Sequence, residues 1–235
     1  MSLLSLLLLG FALGMRHATD PDHVVAVSTI VSRTRSLRAS AWVGVVWGAG
    51  HSLTVMTFGA AIIVFDLVIP PRVGLSLELA VAVMLVALGA ASLAPRRRKH
   101  HAHDHAHAHD HARANDAGEA APARRAAWLR PLAVGVVHGL AGSAAAALLV
   151  LATIRTPAWA VGYLGVFGAG TVIGMLLVTG AMALSLTVTR TRFAWLHRAL
   201  TTGSALASIA LGVALVVQLG FIDGLFSSSP RWTPG

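Results

Sequence analysis

The sequence predicts an all-α polytopic membrane protein, with six transmembrane helices arranged as a 3+3 inverted repeat around a His-rich, disordered central loop. Of its 235 residues, 56% are hydrophobic and only 11% are charged, whereas a soluble domain carries about 25% charged residues. Six apolar stretches reach the length of about 17 to 25 residues or more that crosses a bilayer. They cover approximately residues 3–31, 41–69, 73–94, 131–154, 158–189 and 199–222.

The first stretch is interpreted as a retained helix rather than a signal peptide. It begins without a basic residue and has no convincing small-residue cleavage site before residue 17. The chain has no cysteine, so neither disulfides nor thiolate metal sites are available to it. Any metal site must therefore use nitrogen and oxygen ligands.

Basic residues predict the orientation of the chain. The net charge is +9, but the Lys and Arg residues cluster in the loops that join odd to even helices, and the intervening loops carry only Arg72 and Arg155. By the positive-inside rule the basic loops lie in the cytoplasm. We therefore expect a multi-pass protein of the plasma membrane with both termini outside, and a charge pattern that does not indicate nucleic-acid binding.

Three short sequence matches indicate an internal repeat. Residues 14–17 match 135–138, residues 46–50 match 166–170, and a Leu-Gly step recurs at 88–89 and 211–212, each pair 120 to 123 residues apart. Because each half holds three helices, the second half must enter the membrane inverted, which is a transporter architecture. The alternative is that these small residues only permit close helix packing. The predicted organisation is 1–94 first repeat, 95–130 loop, 131–222 second repeat and 223–235 tail.

The first helix contains an unusual cluster of ionisable residues. His17, Asp20, Asp22 and His23 lie at membrane depth, where such groups are costly and usually functional. Imidazole with carboxylate suits zinc, nickel, cobalt or copper. His17 and His23 are about 240° apart on an ideal helix, and Pro21 is expected to open the turn and let them converge, freeing the carbonyl of His17. The alternative is a polar network that locks helices together.

Further histidines extend this candidate site. His51 in helix 2 is expected to supply an additional ligand, because its flanking glycines would let helix 1 approach. His138 is the repeat mate of His17 and either lines a pathway or adds a ligand. Asp20 is a ligand, a partner that orients a histidine, or a charge balance for Arg16.

The central loop carries a second metal-binding pattern. Residues 100–111 hold seven histidines and two aspartates, too polar to form a core and therefore expected to be disordered. His-rich tracts bind divalent metals by composition, and this one would buffer, sense or load metal. Its histidines are His100, His101, His103, His105, His107, His109 and His111.

With these residues in view, the chain resembles the nickel/cobalt transporter (NicO/NiCoT) superfamily. His17, Asp22 and His23 match its His-x4-Asp-His signature, and Gly50-His51-Ser52 is similar to its Gly-His-Ser element. The segment from His138 to Ser143 looks like that of the shorter UreH-like branch, which is associated with urease and nickel supply. The resemblance implies a membrane transporter of nickel or cobalt.

The leading expectation is therefore a transporter of nickel, with cobalt second, through the His/Asp site. The alternatives are an accessory protein that delivers nickel to a urease maturation system through its His-rich loop, and a nickel/cobalt efflux protein. Expected partners are the lipid bilayer, the metal ion and a cytoplasmic metallochaperone or urease accessory protein. No prosthetic group is expected. The sequence has neither a His-Glu-x-x-His nor a Walker motif, so no enzymatic activity is expected.

Overall fold

A computed structural model describes residues 3–34, 36–94, 129–141, 154 and 156–232. These residues form α-helices and contain no β-strand. In chain order the helices are α1 Leu3–His17, α2 Pro21–Val31, α3 Leu37–Phe65, α4 Pro71–Leu93, α5 Leu129–Leu140, α6 Pro157–Arg192 and α7 Ala194–Val217, followed by a π-helical turn at Gln218–Ile222.

Within the described part of the chain, four helical segments are long and apolar enough to cross a membrane: Leu37–Phe65, Pro71–Leu93, Pro157–Arg190 and Ala194–Ile222. The first predicted span is divided into α1 and α2, with 15 and 11 residues, each shorter than a bilayer requires. The fourth predicted span is described only as α5, because residues 142–153 lie outside the described part of the chain. The His-rich tract lies outside it as well.

Local sequence explains where the helices begin and end. Ser36 precedes α3 and accepts a hydrogen bond from the Ala39 N–H at 3.1 Å, as an N-cap does. Asp66 ends α3 in the left-handed conformation, with φ of 49°. Pro21, Pro71 and Pro157 each occupy the first position of a helix, where the missing N–H leaves no helical bond unmade.

The helices form two packed groups, one along α6 and the other between α4 and α7. Helix α6 packs along α1 and α3, helix α4 packs along α7, and α2 lies among α4, α6 and α7. Many large apolar side chains point outward, including Leu53, Leu177 and Phe221, as expected for helices in contact with lipid. The buried side of the bundle is where the ionisable residues meet.

Glycines make close helix contacts at positions that the predicted repeat matches. A Cβ on Gly14 would clash with the carbonyl oxygen of Phe167, and a Cβ on Gly135 would clash with that of Trp47. Gly135 follows Gly14 by 121 residues, and Phe167 follows Trp47 by 120. Helix α1 therefore meets α6 through the same contact by which α5 meets α3.

The contact between α4 and α7 is also reciprocal, because a glycine of each helix lies against the backbone of the other. A Cβ on Gly89 would lie 2.6 Å from the carbonyl oxygen of Ala205, and a Cβ on Gly212 would lie 2.6 Å from that of Ala82. Gly212 follows Gly89 by 123 residues, and Ala205 follows Ala82 by the same number. These glycines let the two backbones approach more closely than any side chain would allow.

Candidate metal centre

The centre is built on the break between α1 and α2. Helix α1 ends at His17, and residues 18–20 form a turn before Pro21 starts α2. The predicted opening at the proline is therefore present, but the freed carbonyl is not. The carbonyl oxygen of His17 accepts the Asp20 N–H at 3.1 Å within the turn.

Four imidazoles meet where α1, α2, α3 and α5 converge. The side chains of His17, His23, His51 and His138 are 5%, 0%, 0% and 0% exposed. Neighbouring ring centroids are 4.6 Å apart for His17 and His23, 5.2 Å for His23 and His51, and 4.4 Å for His23 and His138. Nε2 of His17 lies 3.1 Å from Nε2 of His51. His23 is thus the central ring of the group.

Asp22 joins two of these imidazoles. Its Oδ1 lies 3.1 Å from Nδ1 of His23 and accepts the His23 backbone N–H at 2.9 Å. Its Oδ2 lies 3.0 Å from Nε2 of His138. A single carboxylate therefore links α2 to α5.

Asp20 has a different position. Its Oδ2 lies 2.8 Å from Nδ1 of His17, and that side chain is 37% exposed. A carboxylate on one ring nitrogen fixes the orientation of the ring and the nitrogen left for other partners. Of the three roles predicted for Asp20, the geometry matches the partner that orients His17, with Nε2 directed toward His51.

The donors fall into two groups of three that could each hold a metal ion. His17, His23 and His51 each offer one donor atom, as do Asp22, His23 and His138, and within each group these atoms lie within 4.8 Å of one another. Nitrogen ligands about 2.1 Å from a tetrahedral ion lie roughly 3.4 Å apart. Each group needs only a small closure to reach that spacing.

Several donor atoms in the centre have no hydrogen-bond partner among the described residues. They are Nε2 of His23, Nδ1 of His51 and Nδ1 of His138. Buried polar atoms are normally hydrogen-bonded, and an exception requires a functional or structural explanation. Unpaired nitrogen atoms grouped among other imidazoles fit a site that binds a cation.

Aromatic rings enclose the imidazoles. The Trp47 ring stacks on His23, with centroids 6.1 Å apart and an interplanar angle of 12°, and it lies 5.5 Å from the His138 ring. Phe167 lies 5.6 Å from His17. Rings at these positions restrict how the imidazoles can turn. The sequence interpretation missed both, although they occupy matching places in the two halves.

A cavity of about 310 Å³ adjoins the centre. Its walls include Asp20, Asp22 and Glu78, together with apolar residues of α4 and α7. Trp232 donates a hydrogen bond from Nε1 to Oε1 of Glu78 at 2.7 Å. Glu78 and Trp232 were also missed, and the available signal was that Glu78 is an acidic residue inside the apolar stretch 73–94.

The polar neighbours of His51 on α3 have structural contacts. Thr54 donates to the Gly50 carbonyl at 2.8 Å, and Ser52 donates to the Gly168 carbonyl at 3.0 Å. The prediction that Gly50 accommodates helix 1 is wrong. A Cβ on Gly50 would lie 2.9 Å from the Leu132 carbonyl oxygen of α5, so the glycine brings α5, and with it His138, toward His51.

Comparison with known proteins identifies the family. The chain is 37% identical over 225 residues to the urease accessory protein UreH of Bacillus sp. (strain TB-90), covering 95% of this chain and 96% of that protein. The chain belongs to the UreH family of urease accessory proteins. This confirms the predicted likeness to the UreH-like branch, whereas the wider nickel/cobalt superfamily stays a prediction.

A more distant relative is the chloroplast protein FOR GROWTH AND FERTILITY 2 of Arabidopsis thaliana. It is 26% identical over 221 residues, which cover 92% of this chain and 57% of that protein. No protein-family model matches the chain, and no solved structure matches it. The assignment of the chain to a family therefore rests on its similarity to UreH.

Proposed function

We propose that this chain is a membrane accessory protein that handles nickel for urease maturation, and that it binds the ion at the buried centre of His17, Asp22, His23, His51 and His138. One observation carries the proposal: four buried imidazoles and one carboxylate converge, and three of their nitrogens have no hydrogen-bond partner within the described residues. A nitrogen-rich set with oxygen suits nickel and cobalt.

The choice of nickel rests on the family. The relative from Bacillus is named a urease accessory protein, and this favours the accessory role over the transporter that the sequence first suggested. In this proposal the His-rich tract of residues 100–111 passes nickel to a cytoplasmic metallochaperone or urease accessory protein. Its seven histidines suit a weak, exchangeable store of metal.

Movement of nickel across the membrane is the second candidate, and the reciprocal glycine contacts favour it. Contacts repeated at offsets of 120 to 123 residues support a 3+3 inverted repeat, with α1 and α2 as one broken span. Broken helices beside a site between the halves are a transporter feature. The two functions are compatible, since a protein that admits nickel could also deliver it.

The cavity supports access to the centre from one side of the membrane. With the orientation that the basic loops predict, its lining residues Glu78 and Leu219 lie toward the extracytoplasmic ends of their helices. Three carboxylates along its wall would attract a divalent cation. This arrangement supports exchange of the ion between the centre and the extracytoplasmic side.

The test is urease activation in a bacterium that carries a nickel-limited urease system and lacks its own protein of this family. The chain should lower the nickel concentration needed for half-maximal urease activity, and His23→Ala should not. His197→Ala is the matched control, because it replaces a histidine on α7 outside the centre. Equal activation by the chain and by His23→Ala would contradict the proposed site.

Cell-associated nickel separates the two candidates. Deleting residues 100–111 should abolish urease activation while nickel accumulation persists if the chain both moves and delivers the ion. Urease activation by the intact chain with no rise in cell-associated nickel would favour delivery alone, and a fall in accumulated nickel on expressing the intact chain would favour efflux. Parallel measurements with cobalt and zinc establish which metal the chain handles.

A further inference from the structure

The centre holds two overlapping sets of metal donors, not one. The inner set is His17, His23 and His51, and the outer set is Asp22, His23 and His138. Each set is complete enough for a divalent ion, since three protein ligands with a water or another ligand in the fourth place form an open tetrahedral site. The sets draw on different helices: α1, α2 and α3 for the inner set, and α2 and α5 for the outer.

His23 belongs to both sets, which limits how they can be filled. A neutral imidazole has one nitrogen lone pair to give, because its other nitrogen carries a proton. One His23 ring therefore completes one set at a time. The Asp22 carboxylate lies beside Nδ1 of His23 at 3.1 Å, whereas Nε2 has no partner among the described residues. The Nδ1 edge of the His23 ring therefore meets Asp22, and Nε2 lies inside the cluster without a hydrogen-bond partner among the described residues.

The two sets also differ in access. The Asp22 side chain is 21% exposed and lines the cavity beside Glu78. All three residues of the inner set are buried and none of them lines the cavity; Asp20, which does line it, contacts His17 at Nδ1. An ion arriving through the cavity therefore meets the outer set first.

We propose that the centre is a two-position relay in which a single divalent ion is held alternately by the outer and the inner set, with His23 as the ligand common to both. This inference rests on the proposed function and specifies how its site works. The ion keeps the His23 ligand while it exchanges Asp22 and His138 for His17 and His51. No more than one ion occupies the centre at a time.

The test uses the full chain in lipid nanodiscs with the seven loop histidines replaced by asparagine, so that bound nickel reports the centre alone. Equilibrium dialysis with Ni²⁺ should give one ion per chain. X-ray absorption should count the imidazole ligands of that ion. His138→Gln should leave the inner set and give three imidazoles, whereas His51→Gln should leave the outer set and give two imidazoles with a carboxylate oxygen.

Affinity provides the second readout. His51→Gln and His138→Gln should each retain binding, and the double variant should lose affinity by at least about tenfold more than the product of the two single losses, as coupled residues do. His23→Gln alone should match the double variant. His51→Asn and His138→Asn repeat the comparison if a glutamine variant elutes as aggregate.

Three results would decide against the relay. Two nickel ions per chain would mean independent sites, and complete loss of binding in both single variants would mean one site that needs every ligand. Identical imidazole counts in the two single variants would also overturn it. Absence of bound nickel in the starting chain would contradict the proposed function itself, which distinguishes that failure from the failure of the relay.

Discussion

Replacing Gly135 by alanine should separate the helices that carry His51 and His138. The added Cβ would clash with the Trp47 carbonyl oxygen and lie 2.8 Å from Trp47 Cδ1 and 3.0 Å from the His51 backbone nitrogen. Two of these neighbours are backbone atoms of α3, which cannot rotate away as a side chain would. The helix α5 must therefore shift outward, and His138 moves with it.

The size of the effect follows from two opposing terms. Overpacking of a close contact costs about 1–3 kcal/mol, and alanine in place of glycine recovers about 0.5–1 kcal/mol of backbone entropy in a helix. Because the clash is with backbone atoms, the overpacking cost should lie in the upper part of its range, at about 2–3 kcal/mol. The net loss is then about 1–2.5 kcal/mol, which lowers the Tm of a chain of this size by about 2–10 °C. The 3.0 Å contact between Asp22 and His138 should lengthen, so nickel affinity should fall as well.

The assay is thermal unfolding of the full chain in nanodiscs, with nickel dialysis on the same samples. Gly180→Ala is the matched control, because no atom outside its own helix and chain neighbours lies within 4 Å of a Cβ there, and it should raise the Tm or leave it unchanged. Gly14→Ala should behave like Gly135→Ala, since it meets the equivalent atoms of α6. If Gly135→Ala proves as stable as Gly180→Ala, the close α3–α5 contact is refuted.

Three further changes test individual contacts. Asp22→Asn should weaken nickel binding in dialysis more than Asp20→Asn, because Asp22 touches two imidazoles whereas Asp20 orients only His17; equal losses would contradict these roles. Asp20→Asn should lower affinity by about 10- to 100-fold, as the loss of an orienting partner does, and an unchanged Kd would remove Asp20 from the centre. Trp232→Phe deletes the hydrogen bond to Glu78 and should cost about 0.5–1.5 kcal/mol in thermal unfolding, with nickel affinity unchanged.

Much of the centre could be predicted because three of its ionisable residues lie close together in the sequence. His17, Asp22 and His23 are conspicuous in an apolar stretch, and Pro21 indicates the break that brings them together. The role of Asp20 stayed open in the sequence, since a carboxylate three residues from His17 fits a ligand and an orienting partner equally well. Only the distance from Oδ2 to Nδ1 of His17 distinguishes them.

What the sequence did not reveal depends on helix packing. The sequence predicts that Gly50 accommodates helix 1, but Gly50 faces α5. The direction in which a helical glycine faces depends on how its helix is rotated in the bundle, and the sequence around the glycine does not show that rotation. Glu78 and Trp232 lie 154 residues apart, and no local pattern connects them. The six-span arrangement stays a prediction, supported by reciprocal contacts at the glycines.

The predicted repeat does not extend to the ligands of the centre. His17 and His138 are matched in the predicted repeat, but the residue matched to His51 is Thr171, whose hydroxyl donates to the Phe167 carbonyl at 3.0 Å. The position equivalent to Asp22 is Ser143. The first half therefore supplies every donor except His138. His138 is the donor that α5 brings to the centre, and the 3.0 Å contact between its Nε2 and Oδ2 of Asp22 joins α5 to α2. Exchange of the ion between the two sets would therefore depend on how closely α5 approaches α2 and α3, which is the contact that Gly135 makes possible.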